Sequence, residues 1–132
     1  MNPSVTALDH LVLTVSDQDL SVAFYTRVLG MRAEVFRPAD GSTRMALKFG
    51  AQKINLHVAG REFDPKARRP VTGSADLCFL SEVPLCKWVA HLGKAGVPVE
   101  EGPVARSGAL GPIVSLYIRD PDGNLIEISN RA

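Results

Sequence analysis

Four residues of this 132-residue chain carry side chains that ligate metals and stand at matching places along it: His10, His57, Asp76 and Glu127. Imidazole nitrogen and carboxylate oxygen together suit a borderline divalent ion such as Zn, Ni, Co, Mn or Fe(II). Two neutral imidazoles and two carboxylates would balance the ion's double charge and leave positions open to water or substrate. An open position is what separates a catalytic ion from a structural one. Such an ion polarises a substrate carbonyl or stabilises an enediolate. Singly, each residue has a plainer reading: either histidine as a hydrogen-bonded core residue, Asp76 as a turn or cap, Glu127 as a surface residue on an edge strand. Their equivalent placement in two similar halves weighs against coincidence.

Those halves follow from periodicity. The run His10 to Val15 alternates as a strand, and Ser16 and Asp17 then begin a helix with Leu20, Ala23, Phe24 and Val28 on one face. Gly30 stops it, and strands are predicted near 31–37, 43–49 and 53–59, with turns at Gly41 and Gly50. Asp76 to Leu80 is again a strand, and Pro84 opens a helix with Leu85, Trp88, Val89 and Leu92 together. Gly96 ends that helix, and strands are expected near 97–104, 112–119 and 123–129. Asp76 lies 66 residues after His10, and Gly96 lies 66 after Gly30. Between His57 and Glu127 the offset is 70, an insertion of about four residues placed within Ser107 to Pro112. His91, the third histidine, overlays Tyr25 and is read as non-catalytic.

The reading is therefore an α+β domain of two βαβββ modules, residues 1–60 and 74–132, joined by a polar linker over 61–73. Neither module alone should bury both faces of its sheet, so one cooperative domain is expected. Side chains alternate along a strand. On one face lie Leu11, Leu13, Val15, Ile54, Leu56, Leu77, Phe79, Ile126 and Ile128, which should pack on the helices. The opposite face of each of four strands carries one ligand-type residue among small or apolar neighbours. A curved mixed sheet with its helices outside would enclose an apolar metal cup.

Composition limits the alternatives. A net charge of +1 without a long charged run weighs against nucleic acid or an anionic membrane as partner. Lys66, Arg68 and Arg69 form the one basic cluster and are read as a solvated loop. Cys78 and Cys86 stand among apolar residues and are expected to be reduced core thiols. No signal-peptide pattern or membrane-length apolar run is present, so a cytoplasmic protein is expected.

Leu8-Asp9-His10-Leu11-Val12-Leu13, Phe24-Tyr25 with Leu29-Gly30-Met31, and above all Leu116 to Glu127 with its Asp120-Pro121-Asp122-Gly123 turn resemble the vicinal oxygen chelate superfamily, the glyoxalase/bleomycin-resistance/dioxygenase group. The resemblance covers nearly the whole chain. It implies paired βαβββ modules, one divalent metal ion held at His10, His57, Asp76 and Glu127, a small-molecule substrate and a homodimer. Four filled ligand positions resemble glyoxalase I-like isomerases, in which Glu127 would be the catalytic base of a lactoylglutathione lyase-like reaction through an enediolate. The other classes in the group are metal-free drug-binding proteins of the bleomycin-resistance type, fosfomycin-type thiol transferases and extradiol dioxygenases. Glutathione-using relatives carry arginine and asparagine where this chain has Thr14 and Arg61, which points toward a different adduct. Arg37, Arg61 and Tyr117 are further candidates for substrate contact.

Overall fold

Strands with one apolar face need a helix to cover it, and the chain supplies one helix for each set of strands. The computed structural model describes residues 2–132. These fall into two compact units, one running to Pro70 and one from Val71. In the first, β1 (His10–Val15) is followed by α1 (Gln18–Arg27), β2 (Arg32–Phe36), β3 (Arg44–Phe49) and β4 (Gln52–Val58). The sheet order is β1-β4-β3-β2, with β1 parallel to β4 and the other pairs antiparallel. In the second, β5 (Asp76–Leu80), α2 (Leu85–Ala95), β6 (Glu101–Gly108), β7 (Gly111–Arg119) and β8 (Leu125–Arg131) repeat the plan as β5-β8-β7-β6. The α+β reading and the twice-written βαβββ order are thus present.

Leu13, Val15, Leu47, Ile54 and Leu56 are buried on the helix side of the first sheet. Leu116, Ile118, Ile126 and Ile128 are buried on that of the second, together with Leu85 and Leu92 of α2. Each such side chain contributes roughly 1.5–3 kcal/mol by leaving water. The helix faces differ from expectation. Leu20 is 59% exposed, and α1 buries Ser21 and Tyr25 instead. A serine brings the helix backbone close to the sheet and leaves room for the Tyr25 ring. On α2, Val89 is exposed and Trp88 is half-buried, its indole N–H donating to Ser81 Oγ at 2.9 Å.

Local chemistry sets the ends. Asp17 caps α1 by accepting from Leu20 N–H at 3.0 Å. Pro84 has no side chain for capping, so Asn130 Oδ1 accepts from Leu85 N–H at 2.9 Å instead. Gly96 ends α2 with φ +72. In the turn before β8, Asp120 Oδ1 accepts from Asp122 and Asn124 N–H, each at 2.9 Å. Asn124, fully buried, donates to Asp120 Oδ2 at 2.7 Å and accepts from Ala75 N–H at 2.8 Å. That tie anchors the turn beside Asp76. At Gly102, φ is +105 and a Cβ would strike the backbone of Ser115 and Leu116.

Both cysteines are free thiols and both are exposed, which corrects the expectation of core positions. Cys78 faces away from the helix on β5, and Cys86 points outward in the first turn of α2. Among the described residues no helix is long and apolar enough to cross a membrane.

Candidate functional site

Backbone pairing decides which side chains share a row on the face turned away from the helices. In the first unit His10 pairs with Lys53, Val12 with Asn55 and Thr14 with His57. In the second Asp76 pairs with Leu125, Cys78 with Glu127 and Leu80 with Ser129. The first strands are offset by 66, but their partners Lys53 and Leu125 are offset by 72. Asn55, and not His57, is therefore the register equivalent of Glu127. His57 is the equivalent of Ser129. The extra residues number six rather than four.

This matters for ligation. His10 and His57 lie four residues apart on adjacent strands, roughly 13 Å along the sheet at about 3.3 Å per residue. Asp76 and Glu127 are two residues apart, as are His10 and Asn55, roughly 7 Å along the strands. Among the described residues no group of three His, Cys, Asp or Glu side chains stands close enough together to hold a metal ion.

Each member has a distinct setting. His10 is exposed, and its Nδ1 lies 2.8 Å from Asp9 Oδ2. A carboxylate on one ring nitrogen orients the imidazole and leaves Nε2 for a ligand. The buried Asn55 Oδ1 has no hydrogen-bond partner, a costly state for an amide oxygen unless a ligand or cation engages it. Asp76 is exposed. Glu127 is half-buried, and the fully buried Ser115 donates to its Oε2 at 2.5 Å. Ser129 Oγ lies 2.6 Å from Ser115 Oγ and 3.2 Å from Cys78 Sγ. The hydroxyls hold one carboxylate oxygen and leave the other available. Glu127 and Cys78 line a cavity of about 290 Å³ with Leu80, Ser107, Ile113 and Arg131. Although Cys78 is exposed as a residue, partial desolvation of its sulfur pushes the thiol up, and Glu127, by charge and hydrogen bond, and the Asp76 charge add to this. It is therefore a neutral thiol near pH 7.

His57 occupies different surroundings. It is 4% exposed, with Phe63 edge-on at 5.6 Å. The Arg44 guanidinium lies 4.1 Å over the Phe63 ring and is held by Asp40 at 2.7 Å. Burial lowers the His57 pKa, with Arg44 the next cause, so the neutral ring is favoured.

Of the other candidates, Tyr117 pairs directly with Glu127 across the sheet, and its hydroxyl accepts from Arg106 Nε at 2.9 Å. Arg37 and Arg61 are exposed. His91 lies on the outer part of α2 against Trp88, with ring centroids 5.6 Å apart. Asn55, Ser115 and Ser129 were not legible as site residues. Ser129 stands two positions beyond Glu127 and shares its face, a usable signal. The others depend on cross-strand register.

Each unit by itself offers donors of a kind that divalent ions accept: an oriented imidazole and an unpartnered amide oxygen in the first, and two carboxylates in the second. Carbonyl and carboxylate oxygens shift preference toward harder ions such as Mn or Mg, and imidazole toward Fe, Co, Ni or Zn.

The family model of the Glyoxalase/Bleomycin resistance protein/Dioxygenase superfamily matches residues 7–128. The chain is 55% identical over 125 residues to the virulence protein STM3117 of Salmonella typhimurium, covering 95% of this chain and 84% of that protein. The crystal structure of that protein superposes with a TM-score of 0.92 over 98% of this chain and 100% of the other, at 53% identity. Glyoxalase domain-containing protein RDO1 of Mycosarcoma maydis is 54% identical over 127 residues, covering 96% of this chain and 69% of that protein. The lactoylglutathione lyase structure from Agrobacterium tumefaciens gives a TM-score of 0.69 at 26% identity, over 96% of this chain and 95% of the other.

Proposed function

Since this chain belongs to the Glyoxalase/Bleomycin resistance protein/Dioxygenase superfamily, we propose that it is a divalent-metal-dependent enzyme of the lactoylglutathione lyase type, isomerising a small α-hydroxycarbonyl compound. The observation that carries this reading is Glu127, whose Oε2 is held by Ser115 at 2.5 Å while the carboxylate lines a cavity. A carboxylate with one oxygen fixed and the other open is arranged as a proton shuttle. Similarity to the lactoylglutathione lyase of Agrobacterium tumefaciens supports the reaction class.

In this scheme His10, Asp76 and Glu127 would hold the ion. Asn55 supplies the further donor in place of His57, because it lies in the register position of Glu127 and its Oδ1 is unpartnered. The bound ion would polarise the oxygen of the reacting carbonyl. Glu127 takes the proton from the hydroxyl-bearing carbon beside that carbonyl and returns it to the former carbonyl carbon, while the hydroxyl proton passes to the former carbonyl oxygen, so that the two groups exchange places. Ser115 keeps the carboxylate oriented through both steps. The small-molecule substrate, a homodimer and a cytoplasmic location belong to the same proposal. Light scattering of the purified chain tests the dimer.

Elemental analysis tests the centre. About one divalent ion per chain is expected, with loss in a His10→Ala, Glu127→Ala double variant and marked weakening in Asn55→Ala. A chain that neither carries nor takes up an ion defeats the enzymatic reading. Turnover of the methylglyoxal–glutathione hemithioacetal tests the substrate. A metal-loaded protein that leaves it unchanged, while isomerising another α-hydroxycarbonyl, keeps the reaction class and removes glutathione.

A further inference from the structure

His57 is a buried imidazole that the ion site proposed above does not use, and it lines a second cavity. The segment after β4 folds back over the face carrying Val12, Thr14 and His57, and encloses about 210 Å³ with Pro65, Lys66 and Pro70. That volume suits a carboxylate or phosphate group with a few attached atoms. No hydrogen bond within the described residues engages the His57 ring, although it is only 4% exposed. The Thr14 hydroxyl is likewise uncommitted in the wall, at 8% exposure. The ring and the hydroxyl both line the cavity, where their polar atoms are available to a ligand that enters it.

The charges nearby favour an anion. Arg44 and Lys66 are the cations that act on His57, and Glu62 is the opposing carboxylate. Glu62 Oε2 is already engaged by Gly60 N–H at 2.9 Å. Lys66 Nζ lies 3.2 Å from Asp64 Oδ1, which is 84% exposed. A solvated pair of this kind exchanges partners at little cost. Over residues 60–70 there are four cationic side chains and two carboxylates.

We propose that this cavity is a binding subsite for a small anionic group, a carboxylate or a phosphate, held by hydrogen bonds from His57 and Thr14 and by the Lys66 ammonium. The inference rests on the enzymatic reading above only in taking that group to be part of the substrate. It adds a substrate class: an α-hydroxycarbonyl compound bearing an anionic end. The row that holds Ser115 and Ser129 in the second unit holds Arg44 and His57 in the first. Equivalent positions thus serve proton transfer in one unit and anion recognition in the other.

The test is an NMR titration of the full-length chain with sodium phosphate and, separately, sodium lactate, observing the histidine ring signals. The His57 signal is identified by its loss in His57→Gln. A saturable shift of His57, with His10 and His91 unmoved, is expected for at least one probe. The tighter probe distinguishes phosphate from carboxylate. In Lys66→Gln the dissociation constant should rise about five-fold or more, and Lys66→Arg should stay within about two-fold of the original. Lys66 lies in an exposed loop, so its replacement should leave the fold intact. A shift that never saturates, one shared by all three histidines, or a constant unchanged in Lys66→Gln overturns the proposal. His10→Ala should bind the anion as the original does. Failure of the metal reading therefore appears in elemental analysis, and failure of the subsite appears in this titration.

Discussion

Replacing Ser115 by alanine removes a hydroxyl that is itself fully buried. The lost bond is a short one from a hydroxyl to the Glu127 carboxylate, 2.5 Å long, and Ser129 Oγ also loses its neighbour at 2.6 Å. A hydrogen bond to a charged group contributes about 1.5–3 kcal/mol net. Ser129 stands 3.5 Å from the same carboxylate oxygen and can turn its proton toward it, recovering part of the loss. We therefore expect Ser115→Ala to destabilise the chain by about 1–2 kcal/mol. Ser129→Ala should cost less, because Ser115 remains on the carboxylate. In the double variant neither hydroxyl can substitute for the other, so the loss should exceed the sum of the singles by about 0.5 kcal/mol or more. Urea denaturation of the four proteins, compared at constant m value, measures the cycle. Additivity within about 0.3 kcal/mol would refute a cooperative hydroxyl pair on Glu127. A drop in turnover in Ser115→Ala at unchanged metal content would tie the pair to orientation of the base.

Other perturbations test other parts. Asn124→Ala removes a fully buried amide that donates to the Asp120 carboxylate and accepts from Ala75 N–H. It should cost about 2–4 kcal/mol by denaturant melting, and a value below about 1 would show that the turn closes without it. Gly102→Ala forces a Cβ into the backbone of Ser115 and Leu116 at φ +105, and a loss of at least about 2 kcal/mol is expected. His57 has a folded-state pKa lowered by burial and Arg44, so its contribution is complete above its unfolded value of about 6.5 and is lost as the pH falls below that value. His57→Gln should flatten the decline in stability between about pH 7 and 5, and an unchanged slope would show that the ring titrates as if unfolded.

Much of the fold was legible because period-two alternation and helix stops are local signals. The apolar faces of β1, β4 and β8 emerged as read, and Gly96 ends α2 where expected. What escaped was non-local. A slip by two residues keeps every side chain on the same face. Alternation therefore could not tell that Asn55, rather than His57, takes in its own sheet the register position that Glu127 takes in the other. Only the parallel pairing of β4 with β1 and of β8 with β5 reveals it. The face of α1 was misjudged for a related reason. Hydrophobicity favoured Leu20, but close approach of helix to sheet favours a small residue such as Ser21, which is 1% exposed. Cys78 looked like core from its apolar neighbours, yet on a strand those neighbours point the other way.

The two registers also make the molecule its own mutational control. Where one copy of the motif carries a bulky imidazole, its twin carries a serine on an equivalent backbone, and both units are built. Duplication has thus already tried a small side chain at this point in the architecture. Transplanting it, as His57→Ser, should empty the first unit's cavity without unmaking its strands. A reciprocal exchange of Thr14, His57 and Arg44 with Leu80, Ser129 and Ser115 would ask whether the division of labour resides in three interchangeable side chains or in the surrounding loops.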